Sequence, residues 1–301
     1  IEALEEEGVQ VYPGSAALRH AQDKLVMRER LAALGAPVPP FAAISTAADL
    51  QAFGAEHGWR LVLKAATGGY DGKGVWIVGS LEEAAPVIAS GVRLLAEQKV
   101  PLQRELAAVV ARSPYGQAAA WPVVETVQLE GICVEVVAPA PGLPEDRAVE
   151  AQALALRIAA ELDVVGVLAV ELFETAEGLL VNELAMRPHN SGHWSIEGSR
   201  TSQFEQHLRA VLDYPLGTTG LTAPVVVMAN LLGGEGDPDL DKRLHLLFAH
   251  DPALKVHLYG KQVRPGRKIG HVTALGDDLH DTRSRAQAGA HYLRTGTWLS
   301  S

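Results

Sequence analysis

The sequence predicts a mixed α/β (α+β) protein in which a small block of strands and helices precedes a larger one. Three observations point there. Short apolar runs alternate with capped helical stripes along the chain. The run Pro37-Val38-Pro39-Pro40 excludes helix and reads as an extended connection between units. With 301 residues, 48% of them apolar and 21% charged, the chain can bury a sizeable core in about two domains.

The elements follow in order. Leu4 to Gly8 reads as a helix tail with a glycine stop, and Val9-Gln10-Val11-Tyr12 alternates as a short strand. Ser15 is placed as an N-cap. Leu18, Ala21, Leu25, Met27 and Leu31 then form one helical stripe ending at Gly35.

Residues 41–100 read as a compact α+β block. Phe41–Ile44, Leu61–Lys64 and Val75–Val78 are strands, with helices over Thr46–His57 and from Ser80 to about Ser90. Leu94–Glu97 is expected to be a strand that leaves this block.

Residues 101–301 form the larger unit. Leu106–Ala111, Ala118–Val124 and Ile132–Val136 are strand-like, and Pro141–Asp146 is turn-rich. A long amphipathic helix runs from about Ala148 to Leu162, and a hairpin joins Val165–Phe173 to Leu179–Leu184. A helix over Ser202–Leu212, a strand over Val225–Asn230, a loop over Gly233–Asp239, a strand over Val256–Tyr259, a basic turn and a helix over Thr282–Leu293 complete the chain.

Composition narrows the function classes. Asp plus Glu outnumber Lys plus Arg by 36 to 26, a net charge of −10, which excludes a polyanion-binding surface over the whole chain. Cys133 is the single cysteine, so no intrachain disulfide and no thiolate zinc cluster can form, which fits the reducing cytoplasm. No apolar stretch reaches membrane-spanning length, and no basic, apolar, small-residue leader follows Ile1.

Four segments carry chemistry. Lys64-Ala-Ala-Thr-Gly-Gly-Tyr-Asp-Gly-Lys-Gly-Val75 holds four glycines in seven residues between two strands. A Walker loop or dinucleotide fingerprint would open a helix, so this loop reads as a flap over an anion or as an ordinary glycine-rich hairpin. Lys64, closing an apolar strand, favours the anion. In the hairpin after residue 165, a turn near Ala176-Glu177 sets Glu171 roughly opposite Glu183. Like charges across a sheet are unfavourable unless a hard cation lies between them or one faces solvent. Next, Asn182-Glu-Leu-Ala-Met-Arg187-Pro-His189-Asn190-Ser-Gly-His193 offers an oxyanion clamp and a proton carrier, or else is a surface loop in which His189 is a satisfied structural histidine. Last, Arg264-Pro-Gly-Arg267-Lys268 sets three cations in five residues, suited to a phosphate ester, a carboxylate or a solvated turn.

The order of these segments resembles the ATP-grasp ligases, and more narrowly the 5-(carboxyamino)imidazole ribonucleotide synthases of purine biosynthesis. Thr67–Gly74, Asn182–His193, Thr201–Leu208 and Arg264–His271 carry the likeness, which runs from about Glu2 to the C-terminus. The resemblance implies an ATP-grasp fold. Residues 1–40 would be a remnant of an N-terminal Rossmann-like (preATP-grasp) domain with its connecting helix, 41–100 the lid, and 101–301 the C-terminal domain with the Mg-ATP and substrate site. It implies ADP-forming carboxylation of 5-aminoimidazole ribonucleotide through carboxyphosphate, using ATP, Mg²⁺ and bicarbonate, by a cytoplasmic homodimer with no nucleic-acid or membrane partner.

By motif, the resemblance sets Lys24 and Lys64 on the ATP phosphates under Gly69, Tyr70, Asp71, Gly72, Lys73, Gly74 and Val75. It sets Glu97, Gln98, Lys99 and Val100 at the adenine, Glu105 at the ribose, and Gln128 and Asn182 with the nucleotide. Glu171 and Glu183 would hold Mg²⁺. Tyr70, Asp71, Arg187, His189 and Asn190 would surround bicarbonate and carboxyphosphate, and Arg264, Arg267 and Lys268 would meet the ribonucleotide phosphate. The chain departs from the family in two residues, with Gln128 where histidine is usual and Met186 for a common proline. Most of the family's N-terminal lobe is expected to be missing. Two other readings stand beside this one: a formate-using ATP-grasp glycinamide ribonucleotide transformylase, and an inactive nucleotide-binding remnant.

Overall fold

The computed structural model describes residues 1–69, 72–234, 236 and 238–299. Tyr70 and Asp71, expected in the flap, and two positions of the Gly233–Asp239 loop lie outside the described residues.

The N-terminal segment holds three short helices, α1 (Glu2–Glu6), α2 (Ser15–Gln22) and α3 (Lys24–Ala33). Val9–Tyr12 is not a strand, because no strand among the described residues lies alongside to complete its ladder. The expected single helix is two. Asp23 is extended (φ −122°, ψ 109°), and its carboxylate accepts from the Leu25 and Val26 N–H groups to cap α3. The cap of α2 is Gly14, and Ser15, its first helical residue, is bonded to Glu5.

The next elements are β1 (Phe41–Ile44), α4 (Ala47–His57), β2 (Leu61–Ala65), β3 (Val75–Val78), α5 (Leu81–Ala89) and β4 (Leu94–Gln98). Thr46 and Asp49 form a capping box that starts α4. The strands make a four-stranded antiparallel sheet in the order β1-β4-β2-β3. Thus β4 does not leave the block; it is an interior strand. Leu94 and Ala96 enter the core with Leu50, Leu61 and Leu63, while Leu95 packs on the other face with Leu25 and Ala66. Burial on both faces gives the unbroken apolar run that read as a departing strand.

The larger sheet contains β5 (Arg104–Arg112), β6 (Ala118–Ala120), β7 (Val124–Leu129) and β8 (Ile132–Ala138). Helix α6 (Glu145–Glu161), β9 (Gly166–Glu174) and β10 (Leu179–Ala185) follow, then α7 (Ser195–Gly198), α8 (Gln203–Val211) and β11 (Val225–Leu232). The chain ends with α9 (Leu240–His250), β12 (Lys255–Leu258), β13 (Lys268–Gly276) and α10 (Leu279–Thr295). The strand order is β10-β9-β5-β7-β8-β11-β13-β12, with β6 also on β5. Ala118–Val124 breaks into two strands at Trp121-Pro122, where proline has no N–H for a ladder. Both α9 and β13 went unseen in the sequence.

Alternation along β5 builds two cores. Leu106, Ala108 and Val110 pack under α6 with Ala151, Ala155 and Ile158, and Ala107, Val109 and Ala111 face Trp121, Trp194 and Ala210. Helix α10 covers β11 and β13 through Ala286, Ala290 and Leu293. The β9–β10 hairpin stands at the sheet's edge with β9 paired to β5 along its whole length, and Asn182 and Glu183 of β10 meet Lys24 and Arg28 of α3 and Lys64 of the small sheet.

Candidate active site

The site is built on the β9–β10 hairpin. Its turn sets a strict register that would pair Glu171 with Asn182, since Leu179 pairs with Glu174 and Val181 with Leu172. A bulge at Asn182 shifts the register so that Glu183 pairs with Glu171. One extra residue thus delivers Asn182 and Glu183 together to the same place. The Asn182 amide donates to Glu171 Oε2 at 3.3 Å.

The carboxylates sit within a web of cations. Lys24 Nζ lies 2.7 Å from Glu183 Oε1. Lys64 Nζ lies 2.6 Å from Glu97 Oε2 and donates to Asn182 Oδ1 at 3.1 Å. Glu171 keeps 31% of its side chain exposed, yet burial, then Glu183, then Glu105 push its carboxyl up to about 7. Burial likewise raises the Glu105 carboxyl, against the pull of Lys64. Lys268, at the start of β13, also bears electrostatically on Glu171. Hence Lys24, Lys64, Glu97, Glu105, Glu171, Asn182, Glu183 and Lys268 converge from α3, β2, β4, β5, β9, β10 and β13.

Among the described residues no group of three metal-ligating side chains is assembled. Two opposed carboxylates, one of them pushed up by burial and then by its neighbour's charge, fit Mg²⁺. That ion binds through one or two carboxylates and completes its shell with phosphate oxygens and water.

Sequence reading missed Arg28. It is fully buried on α3, with Nε on Glu97 and Nη2 donating to the Asn182 carbonyl at 2.7 Å. Burial alone would raise the Glu97 carboxyl, but Lys64 and Arg28 hold it below the ordinary carboxylate range. The Glu97 side chain therefore points into this ion cluster. The rest of the segment expected at the adenine is held through its backbone and through the Gln98 amide, which donates to His57 O at 3.2 Å. Gln98 N–H donates to Pro40 O, Lys99 N–H to Arg60 O and Leu102 N–H to Val100 O. The Lys99 side chain is exposed.

The loop after β10 begins with Arg187, whose exposed guanidinium donates to Pro188 O. His189 Nε2 lies 3.5 Å from Glu171 Oε1. Its Nδ1 accepts from the Ser191 N–H at 3.3 Å and lies 2.9 Å from Ser191 Oγ, so Nε2 is the nitrogen that faces Glu171. Asn190 forms a reciprocal amide pair with Asn230 on β11, 2.8 Å in each direction, and Asn230 also donates to the Cys133 carbonyl. Asn230 is a second residue the sequence did not reveal, since in a strand of valines and leucines it carried no motif.

The flap is seated on the larger sheet. A Cβ on Gly131, in the β7–β8 turn, would lie 3.1 Å from Gly72 Cα, so the two backbones meet where neither has a side chain. Gly69 is also closed to a side chain, because a Cβ there would lie 2.8 Å from Lys73 O. Gly74 O accepts the Ala65 N–H, and Val75 starts β3, paired with Lys64. Gln128 pairs across β7–β8 with Cys133, and its amide reaches Thr126 Oγ1 at 3.5 Å. Arg264 and Arg267 are exposed and donate to Gln262, within their own turn.

The comparisons agree with this architecture. The ATP-grasp domain family matches residues 29–204, and the phosphoribosylaminoimidazole carboxylase C-terminal domain family matches residues 226–285. An N5-carboxyaminoimidazole ribonucleotide synthase of Mycobacterium bovis is 57% identical, over 99% of this chain and 71% of that protein. The synthase of Corynebacterium ammoniagenes is 51% identical, over 98% of this chain and 74% of its own length. Among solved structures, the synthetase of Thermus thermophilus superposes with a TM-score of 0.86 at 38% identity, covering 99% of this chain and 79% of that one. The Aspergillus clavatus synthase in complex with ADP and 5-aminoimidazole ribonucleotide gives 0.87 at 32% identity, covering 97% and 77%. With its flap lysine, bulged carboxylate hairpin and sequence match over nearly its whole length, the chain belongs to the ATP-grasp family and, within it, to the N5-carboxyaminoimidazole ribonucleotide synthases.

Proposed function

We propose that this protein uses ATP and bicarbonate to carboxylate 5-aminoimidazole ribonucleotide on its amino group, forming N5-carboxyaminoimidazole ribonucleotide, ADP and phosphate in purine biosynthesis. The observation that carries the reading is the convergence of Glu171, Asn182 and Glu183 with Lys24 and Lys64 beside the glycine flap.

In this reading Lys24 and Lys64 exchange their carboxylate partners for ATP phosphates, and the backbone from Gly69 to Val75, with Tyr70 and Asp71, closes over them. Glu97, Gln98, Lys99 and Val100 line the adenine end, Glu105 takes the ribose, and Gln128 and Asn182 complete the nucleotide's surroundings. Glu171 and Glu183 would hold Mg²⁺, which would supply charge neutralisation for phosphoryl transfer. Arg187, His189 and Asn190 receive bicarbonate and the carboxyphosphate made from it. Positioning and charge neutralisation do the greater part of such a transfer. His189 presents Nε2 beside Glu171, where an N–H would orient an oxyanion. Arg264, Arg267 and Lys268 meet the ribonucleotide phosphate. Gln128 offers a neutral hydrogen bond where a histidine would carry a switchable charge. The three-part division at residues 40 and 100, cytoplasmic location and a homodimer belong to the same proposal. The lone Cys133 fits a reducing compartment, and light scattering reads the oligomer.

The decisive measurement is ADP release with bicarbonate and 5-aminoimidazole ribonucleotide each present or withheld. Release that requires both supports the reading. Formate replacing bicarbonate points to the transformylase, and ATP binding without turnover points to an inactive remnant. Glu183→Gln is expected to abolish Mg²⁺-dependent release, and Lys64→Ala to weaken ATP binding.

A further inference from the structure

Gln203 is a fully buried amide at the first position of α8, after the Ser202 cap. Its Oε1 accepts the His189 N–H at 2.8 Å. Its Nε2 donates to the His189 carbonyl at 2.8 Å and lies 2.9 Å from His193 Nδ1. Its own N–H donates to Ser195 Oγ at 2.9 Å, and that hydroxyl donates to the Gly192 carbonyl. The fit leaves no room beside it, since a Cβ on Gly192 would lie 2.4 Å from Gln203 Oε1. One side chain thus holds both backbone groups of His189 and the ring of His193.

The donor pattern fixes the chemistry. A backbone N–H only donates, so the amide oxygen faces His189 N and the amide NH₂ faces the carbonyl and the His193 ring. An NH₂ group only donates, so His193 Nδ1 is an acceptor and the ring proton sits on Nε2. The ring is stacked with His271 at 5.3 Å and Phe204 at 5.5 Å. Burial, with the charges of His257, Arg187, Lys261 and Lys268 around it, keeps it neutral, its pKa pushed down to about 4.

We infer that Gln203 is a positioning residue for the carboxyphosphate end of the site, orienting His189 toward Glu171 and holding His193 as its Nε2–H tautomer. The inference rests on the proposed function for what His189 does, and on the hydrogen bonds alone for the tautomer.

Histidine-selective ¹⁵N labelling and a two-bond proton–nitrogen correlation spectrum read the tautomer in the whole chain. The expected wild-type result is a bare His193 Nδ1 throughout the neutral pH range. In Gln203→Glu the carboxylate can only accept, so the proton is expected to move to Nδ1 and the ring to become more basic. A role confined to packing would not move that proton. In the kinetic arm, Gln203→Met is expected to lower kcat for bicarbonate-dependent ADP release by about 10–100-fold, the scale of a roughly 1 Å misplacement. The KM for ATP is expected to stay within about two-fold, because the residue acts on the bicarbonate side. A protonated wild-type Nδ1, an unmoved proton in Gln203→Glu, or a wild-type kcat in Gln203→Met overturns the inference. If Gln203→Met does not fold, the two spectra still decide. Turnover with the wrong tautomer sinks the role of Gln203 alone. The right tautomer without any bicarbonate-dependent turnover sinks the functional reading and the positioning role with it.

Discussion

Replacing Glu97 by Gln removes one negative charge from between two buried cations while keeping the shape of the side chain. The Glu97 side chain is 3% exposed, that of Arg28 0% and that of Lys64 11%. Arg28 already leaves Nη1 without a hydrogen-bond partner, so it has no second carboxylate to turn to. Breaking a buried pair by removing one partner costs about 3–5 kcal/mol, because a charge remains desolvated without compensation. Lys64 retains Asn182 Oδ1 and Arg28 retains the Asn182 carbonyl, so each cation keeps one neutral acceptor and neither keeps its anion. Urea unfolding is expected to show that loss with an unchanged m-value, and the melting temperature to fall by about 5–8 °C. The double variant Arg28→Met/Glu97→Gln removes one stranded cation too and is expected to be more stable than Glu97→Gln alone. The folded pKa of Glu97 lies below its unfolded value, so its contribution is present above the ordinary carboxylate range. It is lost as pH falls through the lowered folded value, and Glu97→Gln lacks that acid-side loss. A single variant within about 1 kcal/mol of wild type, or a double variant that loses the sum of both singles, would refute the reasoning.

Glu171 has the opposite sign. Its folded pKa, about 7, lies above the unfolded value of 4.5, so the native state holds the extra proton between them. Stability is therefore expected to fall as pH rises from 4.5 to about 7, and Glu171→Gln to flatten that slope in pH-dependent urea titrations. His189→Ala is expected to reduce turnover by about 10–100-fold while ATP affinity changes little, read by steady-state kinetics and calorimetry; a rise in the ATP KM alone would contradict its placement beside Glu171. Gly192→Ala is expected to cost about 1–3 kcal/mol through overpacking against Gln203, and to lower kcat in the same variant; wild-type stability would show that the amide can move aside.

The hairpin was legible because two apolar runs flank a short turn, so Glu171 and Glu183 could be placed near one another. The bulge that makes them true partners was not, since an extra residue at Asn182 leaves no mark in the sequence. Lys64 announced itself as a charge ending an apolar strand. Arg28 did not, because an arginine in a helix normally reads as part of the solvated face, and only the approach of β4 and β10 buries it. Gln203 and Asn230 were invisible for a related reason. Each is an ordinary amide whose task is set by a loop that folds back from elsewhere in the chain. Strand β13 was obscured by the cationic run leading into it, although Ile269, Val272 and Ala274 supply its buried positions.

The meeting of Gly72 and Gly131 has a mechanical consequence. Two surfaces made only of main chain have no rotamers to reorganise when they part and no salt-sensitive charge to neutralise when they come together. Contact between Gly72 and Gly131 therefore carries no side-chain ordering cost of its own. A methyl group at position 131 would act as a wedge, 3.1 Å from Gly72 Cα, between two stretches of main chain that now meet.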